Sequence, residues 1–173
     1  MMDEVYKFYV SHVSIAGYAI SLEASKAILD LMVKYKPETI LDLGSGWSSY
    51  LLRLKGAEVW SVDTDKQWLE KTKVFLKQFD MFNGHFNLLK DFNFWEHNYD
   101  LVLVDHKPGR ERYKLFELIK YCCNDIVVFD DCQNDGIRSH AKRVFSDWQF
   151  TSLAESTMDG WKRYICYAQK PQS

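Results

Sequence analysis

Acidic side chains directly follow most of the short apolar segments in this sequence. The four aspartates at these places are Asp63, Asp91, Asp105 and Asp130. If the segments are parallel strands of one open sheet, ligands bind beyond their carboxyl ends, so the four carboxylates should gather along one edge. Such a row suits a metal ion, or a ligand that carries hydroxyl groups and a positive charge. One aspartate where a strand meets a turn is common, but four beside a glycine loop favour a functional site.

The glycine loop lies between the first predicted strand and the next helix, within the run ILDLGSGWSS from Ile40 to Ser49. Gly44 and Gly46 permit a tight turn and a close approach of the backbone to a ligand. The following helix is expected to begin near Trp47, so its free N–H groups would point at an anion bound there. The loop is therefore a predicted binding site for an anionic or nucleotide-like group.

A dinucleotide is the first alternative ligand for this loop. Asp63 stands 19 residues after Gly44, where a dinucleotide site carries its ribose-binding acid. However, Ser49 occupies the third glycine position, and its side chain should hinder the approach of a pyrophosphate. Asp42 would repel a pyrophosphate but would suit a bound ammonium group. An ammonium partner, a carboxylate site and a ribose acceptor together favour S-adenosylmethionine over NAD.

The elements that must position these residues alternate between helix and strand. An apolar stripe predicts a helix over Ser21–Lys36, with Ser21 as its N-cap and Pro37 just beyond its end. Five strands follow, separated by helices: Thr39–Leu43, Val59–Val62, Phe86–Leu89, Leu101–Val104 and Ile126–Phe129. Phe150–Ala154 and Trp161–Ala168 then predict two strands joined near the turn signal Asp159-Gly160.

This order predicts an α/β fold, a three-layer Rossmann-like sandwich. Its seven-stranded sheet should be mostly parallel, with an antiparallel C-terminal hairpin. The length suits one domain over residues 1–173. The aromatic segment 1–20 has no clear place in this pattern and is expected to be a substrate lid or an interface segment. Because the chain has little room for a separate substrate domain, either a partner protein or dimerisation is expected to complete the pocket.

Four motifs in order, ILDLGSGWSS, VWSVDTD, LLKDF and DLVLVDH, resemble those of the class I S-adenosylmethionine-dependent methyltransferases. The resemblance implies that Asp42 and the Gly44-Ser45-Gly46 turn hold the methionine part of the cofactor. It also implies that Asp63, with Thr64 beside it, binds the ribose. Asp91 and the backbone of Phe92 would lie at the adenine. Ser21 and Ser49 are the expected partners of the methionine carboxylate.

The second half of the chain, VDHKPGRERY followed by VVFDD, resembles the metal-dependent catechol-type O-methyltransferases. The resemblance implies that Asp105, Asp130 and Asp131 hold Mg²⁺, which prefers hard oxygen ligands. The sequence departs from that pattern where Asp131 replaces the usual asparagine. It also departs where Lys107 stands two rather than three residues after Asp105. The general base is therefore open between Lys107 and His106, and both residues also fit an ordinary exposed loop.

The bulk composition narrows the classes of partner. A net charge of −2 and a pI of about 6.2 argue against broad nucleic-acid binding. A local basic cluster is present, which is typical of a solvated face or of a site for an anionic substrate: Lys107, Arg110, Arg112, Lys114, Arg138, His140, Lys142 and Arg143. The four cysteines show no metal-ligand spacing and are expected to be reduced thiols.

No signal peptide is recognisable, and no apolar run approaches the roughly 18 residues of a membrane helix. We therefore expect a cytoplasmic protein without a membrane partner. The leading hypothesis is methylation of a small molecule at oxygen. The alternatives are a methyltransferase acting on nucleic acid or protein, a non-catalytic S-adenosylmethionine-binding protein, and an NAD-binding oxidoreductase.

Overall fold

The protein is described by a computed structural model that covers residues 2–106 and 109–171. Its strands are β1 Thr39–Leu43, β2 Glu58–Asp63, β3 His85–Leu88, β4 Tyr99–Val104, β5 Cys123–Phe129, β6 Gln149–Ser152 and β7 Cys166–Gln169. Its helices are α1 Met2–His12, α2 Leu22–Tyr35, α3 Trp47–Arg53, α4 Lys66–Lys77, α5 Gly109–Cys122, α6 Asp135–Val144 and α7 Ala154–Thr157. A single 3₁₀ turn at Leu89–Asp91 follows β3.

The seven described strands form one sheet in the order β3-β2-β1-β4-β5-β7-β6. Strands β1 to β5 pair in parallel, and β7 is antiparallel to both β5 and β6. Because β1 pairs with β2 on one side and β4 on the other, the strand order reverses there and opens a crevice at the carboxyl edge. The predicted fold class, including the antiparallel C-terminal pair, is confirmed.

The connection between β6 and β7 differs from the predicted tight turn. It contains α7, and β7 begins at Cys166 rather than at Trp161. The reason is the loop at Asp159, whose Oδ1 accepts hydrogen bonds from the backbone N–H groups of Trp161 and Arg163, both at 2.9 Å. These bonds organise residues 159–163 as a compact loop, so the segment does not extend the strand.

Helices cover both faces of the sheet. One apolar cluster joins α1, α2, α3 and α4 to one face, and a second joins α5 and α6 to the other. Helix α2 shows the predicted ends: Ser21 Oγ accepts from Ala24 N at 3.1 Å, and Lys36 closes the helix in the left-handed conformation. Most of the aromatic side chains lie in these clusters, as the composition favoured.

The N-terminal segment, which the sequence left unplaced, packs on the first of these clusters. Tyr9 of α1 is buried, and its ring centroid lies 4.8 Å from that of Phe75 and 5.8 Å from that of Trp47. Helix α1 therefore lies directly over the start of α3. In the described part of the chain, none of the helices combines the length and apolar character that a membrane crossing requires.

Candidate functional site

A cavity of about 800 Å³ opens at the carboxyl edge of β1, β2, β4 and β5. This volume is within the range of small-molecule sites. The lining residues come from the ends of all four strands and from the N-terminal segment: Tyr9, Tyr18, Ala19, Ile20, Gly44, Ser45, Gly46, Trp47, Ser48, Asp63, Thr64, Asp65, Trp68, Asp105, His106, Arg112, Asp131, Gln133, Asn134 and Ile137. The carboxyl edge that the sequence predicted as a site is therefore the edge that carries the cavity.

Gly44 is required by the backbone geometry of the loop after β1. Its φ of +110° belongs to the region that favours glycine, and its N–H donates to Val62 O at 2.8 Å. A Cβ at Gly44 would lie 2.5 Å from the backbone nitrogen of His106 and 2.6 Å from the carbonyl carbon of Asp105. The loop after β1 therefore touches the loop after β4, and the contact leaves no room for a side chain.

Substituting Gly44 with alanine is expected to cost about 1–3 kcal/mol of unfolding free energy, because an added methyl group meets backbone that cannot move freely. Gly56→Ala is the matched control, since Gly56 also has a positive φ, +79°, but its added Cβ would meet no atom within 4 Å. Urea unfolding of both variants separates the cost of the Gly44 contact from the cost of a side chain at positive φ, which both variants share. Equal losses in the two variants would show that the Gly44 contact carries no extra cost.

Asp63, at the end of β2, joins the glycine loop after β1 to the loop after β2. Its Oδ2 accepts from the N–H of Ser45 at 2.9 Å and from the Ser45 hydroxyl at 3.1 Å, while its Oδ1 accepts from Asp65 N at 3.0 Å. The carboxylate is only 7% exposed, yet it lines the cavity. Trp68 of α4 donates from Nε1 to Ser45 O at 2.6 Å and forms the adjoining wall.

Asp42 and Ser49 lie one layer behind the cavity surface, and neither lines it. The hydroxyls of Ser49 and Ser61 both donate to Asp42 Oδ2, and Ser49 Oγ also accepts from Gly46 N at 3.1 Å. Arg53 donates to Ser61 Oγ at 3.0 Å and extends the network. The two residues therefore brace the glycine loop from behind, and their direct contact with a ligand stays a prediction.

Burial raises the pKa of Asp42 to about 6, against the opposing effect of the Ser49 and Ser48 hydroxyls and the Arg53 charge. The folded protein therefore binds this proton more tightly than the unfolded chain. Stability from this group is greatest at acid pH and is lost as pH rises through the folded pKa.

Asp42→Asn keeps an acceptor oxygen for the two hydroxyls but removes the titration. Relative to wild type, it is expected to gain about 2 kcal/mol of unfolding free energy between about pH 4.5 and pH 7.5. Urea unfolding of both proteins at the two pH values measures this difference. A gap between the two proteins that does not change with pH would exclude the buried titration.

The predicted acidic triad is assembled in the structure. Asp105, Asp130 and Asp131 each offer a carboxylate oxygen, and these oxygens lie within 4.8 Å of one another. Burial, followed by the charge of Asp130, raises the pKa of Asp105 well above its usual range. Burial and the charge of Asp131 raise the pKa of Asp130 to about 6. Burial and mutual repulsion therefore favour the neutral forms of Asp105 and Asp130, and a positive charge nearby would favour their ionised forms.

Arg112 of α5 supplies part of that charge. Its Nη2 donates to Asp105 Oδ1 at 3.0 Å and to Asp131 Oδ2 at 3.2 Å, and its side chain is 1% exposed. Three backbone carbonyls also accept from its guanidinium: those of Asp105, His106 and Asp130. Arg112 therefore does not belong to a solvated basic face, because the ends of β4 and β5 surround it with acceptors.

The triad fits a divalent cation in its donor chemistry. Hard carboxylate oxygens are the ligands that Mg²⁺ prefers. One buried guanidinium offsets only one of the three carboxylate charges when all three are ionised. The residues present therefore leave negative charge that a divalent cation would neutralise.

The structure brings eight of the predicted site residues to the cavity: Gly44, Ser45, Gly46, Asp63, Thr64, Asp105, His106 and Asp131. Six others do not line it: Ser21, Asp42, Ser49, Asp91, Phe92 and Asp130. Ser21 is occupied as the N-cap of α2, and Asp130 lies just beneath the surface of the triad. Asp91 is exposed in the 3₁₀ turn, so its predicted adenine contact stays a prediction. Lys107 lies outside the described residues.

Several cavity residues escaped the sequence reasoning. Tyr18, Ala19 and Ile20 come from the N-terminal segment, and Trp68 comes from α4, a helix in which no site residue was predicted. A signal existed for Trp68, since Asp65 caps α4 and places Trp68 in its first turn, beside the end of β2. For the three N-terminal residues, no periodic pattern marked the position.

The fold has close parallels among solved structures, although no protein-family model and no curated protein sequence matches the chain. A putative O-methyltransferase from Klebsiella pneumoniae aligns with a TM-score of 0.75 at 11% identity, over 99% of this chain and 90% of that one. The O-methyltransferase from Bacillus cereus in complex with S-adenosylhomocysteine aligns with a TM-score of 0.73 at 12% identity, over 98% and 90%.

A third structure, the O-methyltransferase TomG from Streptomyces achromogenes in complex with S-adenosylmethionine, gives a TM-score of 0.73 at 14% identity, over 99% and 89%. At these identities the similarity concerns the fold. The chain therefore has the class I, Rossmann-like fold of these O-methyltransferases, as its four motifs predicted.

Proposed function

We propose that this protein is an S-adenosylmethionine-dependent methyltransferase. The observation that carries the proposal is the meeting of the glycine loop and Asp63 in one cavity, at the switch point of a methyltransferase-like sheet. In this proposal Asp63 accepts hydrogen bonds from the ribose hydroxyls, with Thr64 beside it. The Gly44-Ser45-Gly46 turn holds the methionine part.

The acceptor in this proposal is a hydroxyl group of a small molecule, bound between the cofactor and the triad. Asp105, Asp130 and Asp131 would hold Mg²⁺, which when bound lowers the pKa of a nearby hydroxyl and orients it. His106 lines the same cavity and is the described candidate for the general base. The acceptor oxygen attacks the methyl carbon as the carbon–sulfur bond breaks, and the hydroxyl proton passes to the base.

Positioning is the main contribution that the chain makes to such a transfer, because an in-line reaction gains most from holding the two reactants in line. Arg112 orients two of the triad carboxylates, and the Gly44 contact keeps the β1 and β4 loops at a constant separation. A small-molecule acceptor is favoured over nucleic acid by the cavity, whose volume is within the range of small-molecule sites, and by the net charge of −2.

We further propose a cytoplasmic location, which the four buried, unpaired cysteines support. Dimerisation through the N-terminal segment is part of the same proposal. Sedimentation at two protein concentrations tests it, and a monomer at both would exclude it.

Radiolabelled methyl transfer tests the activity. Purified protein receives labelled S-adenosylmethionine with either a catechol or a short RNA, in MgCl₂ or in EDTA. We expect label on the catechol, with transfer reduced by EDTA and by Asp130→Ala. Label on RNA alone would exclude the small-molecule acceptor. Activity unchanged by EDTA and by the substitution would exclude the metal-assisted mechanism but not the methyltransferase itself.

A further inference from the structure

Part of the cavity wall comes from a short segment with little regular structure. Tyr18, Ala19 and Ile20 line the cavity between α1 and the N-cap of α2. The backbone hydrogen bonds of this segment are local: Tyr18 N and Ala19 N both donate to Ile15 O, at 3.0 and 3.2 Å. Local turns of this kind do not by themselves hold a segment against the sheet.

Ala19 and Ile20 pack in the apolar cluster on this face of the sheet, and Arg163, in the loop before β7, adds a long-range polar attachment. Its Nη1 donates to Gly17 O and its Nη2 to Ala16 O, both at 3.0 Å. These two carbonyls immediately precede the lining residues Tyr18 to Ile20. Arg163 is 146 residues away from Gly17 in sequence, so these bonds join the two ends of the chain at the mouth of the cavity.

Arg163 is itself held by Asp159. Both Nε and Nη2 of Arg163 lie 2.7 Å from Asp159 Oδ2, and the two side chains are 12% and 5% exposed. The other carboxylate oxygen of Asp159 accepts from two backbone N–H groups of the same loop. A part-buried ion pair with several hydrogen bonds has a definite geometry, and the loss of one partner leaves the other charge without its counterion.

Exposed aromatic side chains lie on both sides of the bonds that Arg163 makes. The indole of Trp161 packs on the Arg163 guanidinium at 5.2 Å and is 61% exposed. Tyr18, which directly follows the Gly17 carbonyl that Arg163 binds, is 62% exposed and lines the cavity. The pair therefore lies behind the lining residues rather than in the cavity itself.

We propose that Asp159 and Arg163 are positioning residues that hold residues 16–20 as the movable wall of the cavity. The pair thereby determines how readily an acceptor enters. The part of this inference that concerns the acceptor rests on the proposed function. The attachment of the wall itself does not.

Thiol labelling of Ala19→Cys tests the attachment without any ligand. Ala19 is 5% exposed and lines the cavity, and all four native cysteines are buried, so the introduced thiol reports on the wall. We expect Arg163→Gln and Asp159→Asn to speed its reaction with a thiol reagent by about 10-fold, because they release the local anchor. Arg163→Lys, which can still pair with Asp159, should restore part of the protection.

The native cysteines and a control variant separate the outcomes. If all five thiols react fast in Arg163→Gln or Asp159→Asn, these variants are globally unfolded, and Arg163→Lys becomes the deciding variant. If the thiol of Ala19→Cys is unprotected in Arg163→Lys as well, the proposal is overturned. Arg143→Gln, at an exposed arginine of α6, should leave the rate unchanged. Labelling as slow in Arg163→Gln as in the parent would also overturn it. Added S-adenosylhomocysteine is a separate arm, whose failure to protect would count against the proposed function alone.

Discussion

Replacing Asp63 with alanine is expected to weaken the binding of S-adenosylhomocysteine by about 100-fold, since hydrogen bonds to a charged group contribute about 1.5–3 kcal/mol each. In the proposed complex the carboxylate accepts from ribose hydroxyls. In the free protein it holds Ser45 and Asp65 in place, so the substitution also loosens the loop that meets the methionine part. Calorimetric titration measures the change in dissociation constant.

Two further variants make this result specific. Asp30→Ala removes an exposed carboxylate of α2 far along the chain from the loop and should leave the affinity unchanged. Asp63→Asn keeps one acceptor for the Ser45 N–H but loses the charge, so an intermediate affinity is expected. If Asp63→Ala bound the ligand as tightly as wild type, the ribose assignment would be wrong.

Replacing Arg112 with methionine is expected to lower the free energy of unfolding by about 3–5 kcal/mol, because it removes a buried cation from the part-buried carboxylates of Asp105 and Asp131. Methionine fills much of the same space, so the loss reports charge and hydrogen bonds more than volume. Five acceptor groups would lose their donor at once, two carboxylates and three backbone carbonyls. Urea unfolding at neutral pH measures the change.

The same variant tests the triad as a cation site. If Asp105, Asp130 and Asp131 bind Mg²⁺, MgCl₂ should restore part of the stability of Arg112→Met, because a ligand that binds only the folded state stabilises it. Arg112→Lys, which keeps a charge but not the planar set of donors, should lose less stability. A loss below about 1 kcal/mol in the methionine variant would place Arg112 among ordinary surface residues.

The strands and helices that carry the site residues were predictable because local sequence signals determine where each of them lies. Strand β1 has the predicted bounds because its apolar residues are covered on both faces, and α2 begins at its N-cap and ends before Pro37. The glycine loop and the aspartates at strand ends followed from the same reasoning, since parallel strands place their carboxyl ends along one edge.

The residues that escaped prediction are those whose role depends on distant partners. Arg112 stands in a run of charged residues that looks solvated, and only the positions of Asp105 and Asp131 make it a buried cation. Asp42 was predicted as a ligand contact, which stays a prediction, and the hydroxyls from α3 and β2 that donate to its Oδ2 were not foreseen. Arg163 likewise finds its partners at the other end of the chain.

The N-terminal segment shows the same limit. Its aromatic residues carry no clear period, so the sequence left open whether residues 1–20 form a substrate lid or an interface segment. Both Tyr9 and Tyr18 line the cavity, but Tyr9 is buried in the core and Tyr18 is 62% exposed, only nine positions further along the chain. Packing against Trp47 and Phe75, rather than local propensity, decides this arrangement.

Paired calorimetric titrations measure directly whether the cavity is an S-adenosylmethionine site. Wild-type protein is titrated with S-adenosylhomocysteine and, separately, with NADH, each with and without MgCl₂. We expect saturable binding of one S-adenosylhomocysteine per chain and no measurable heat of binding with NADH. Binding of NADH without binding of S-adenosylhomocysteine would contradict this expectation.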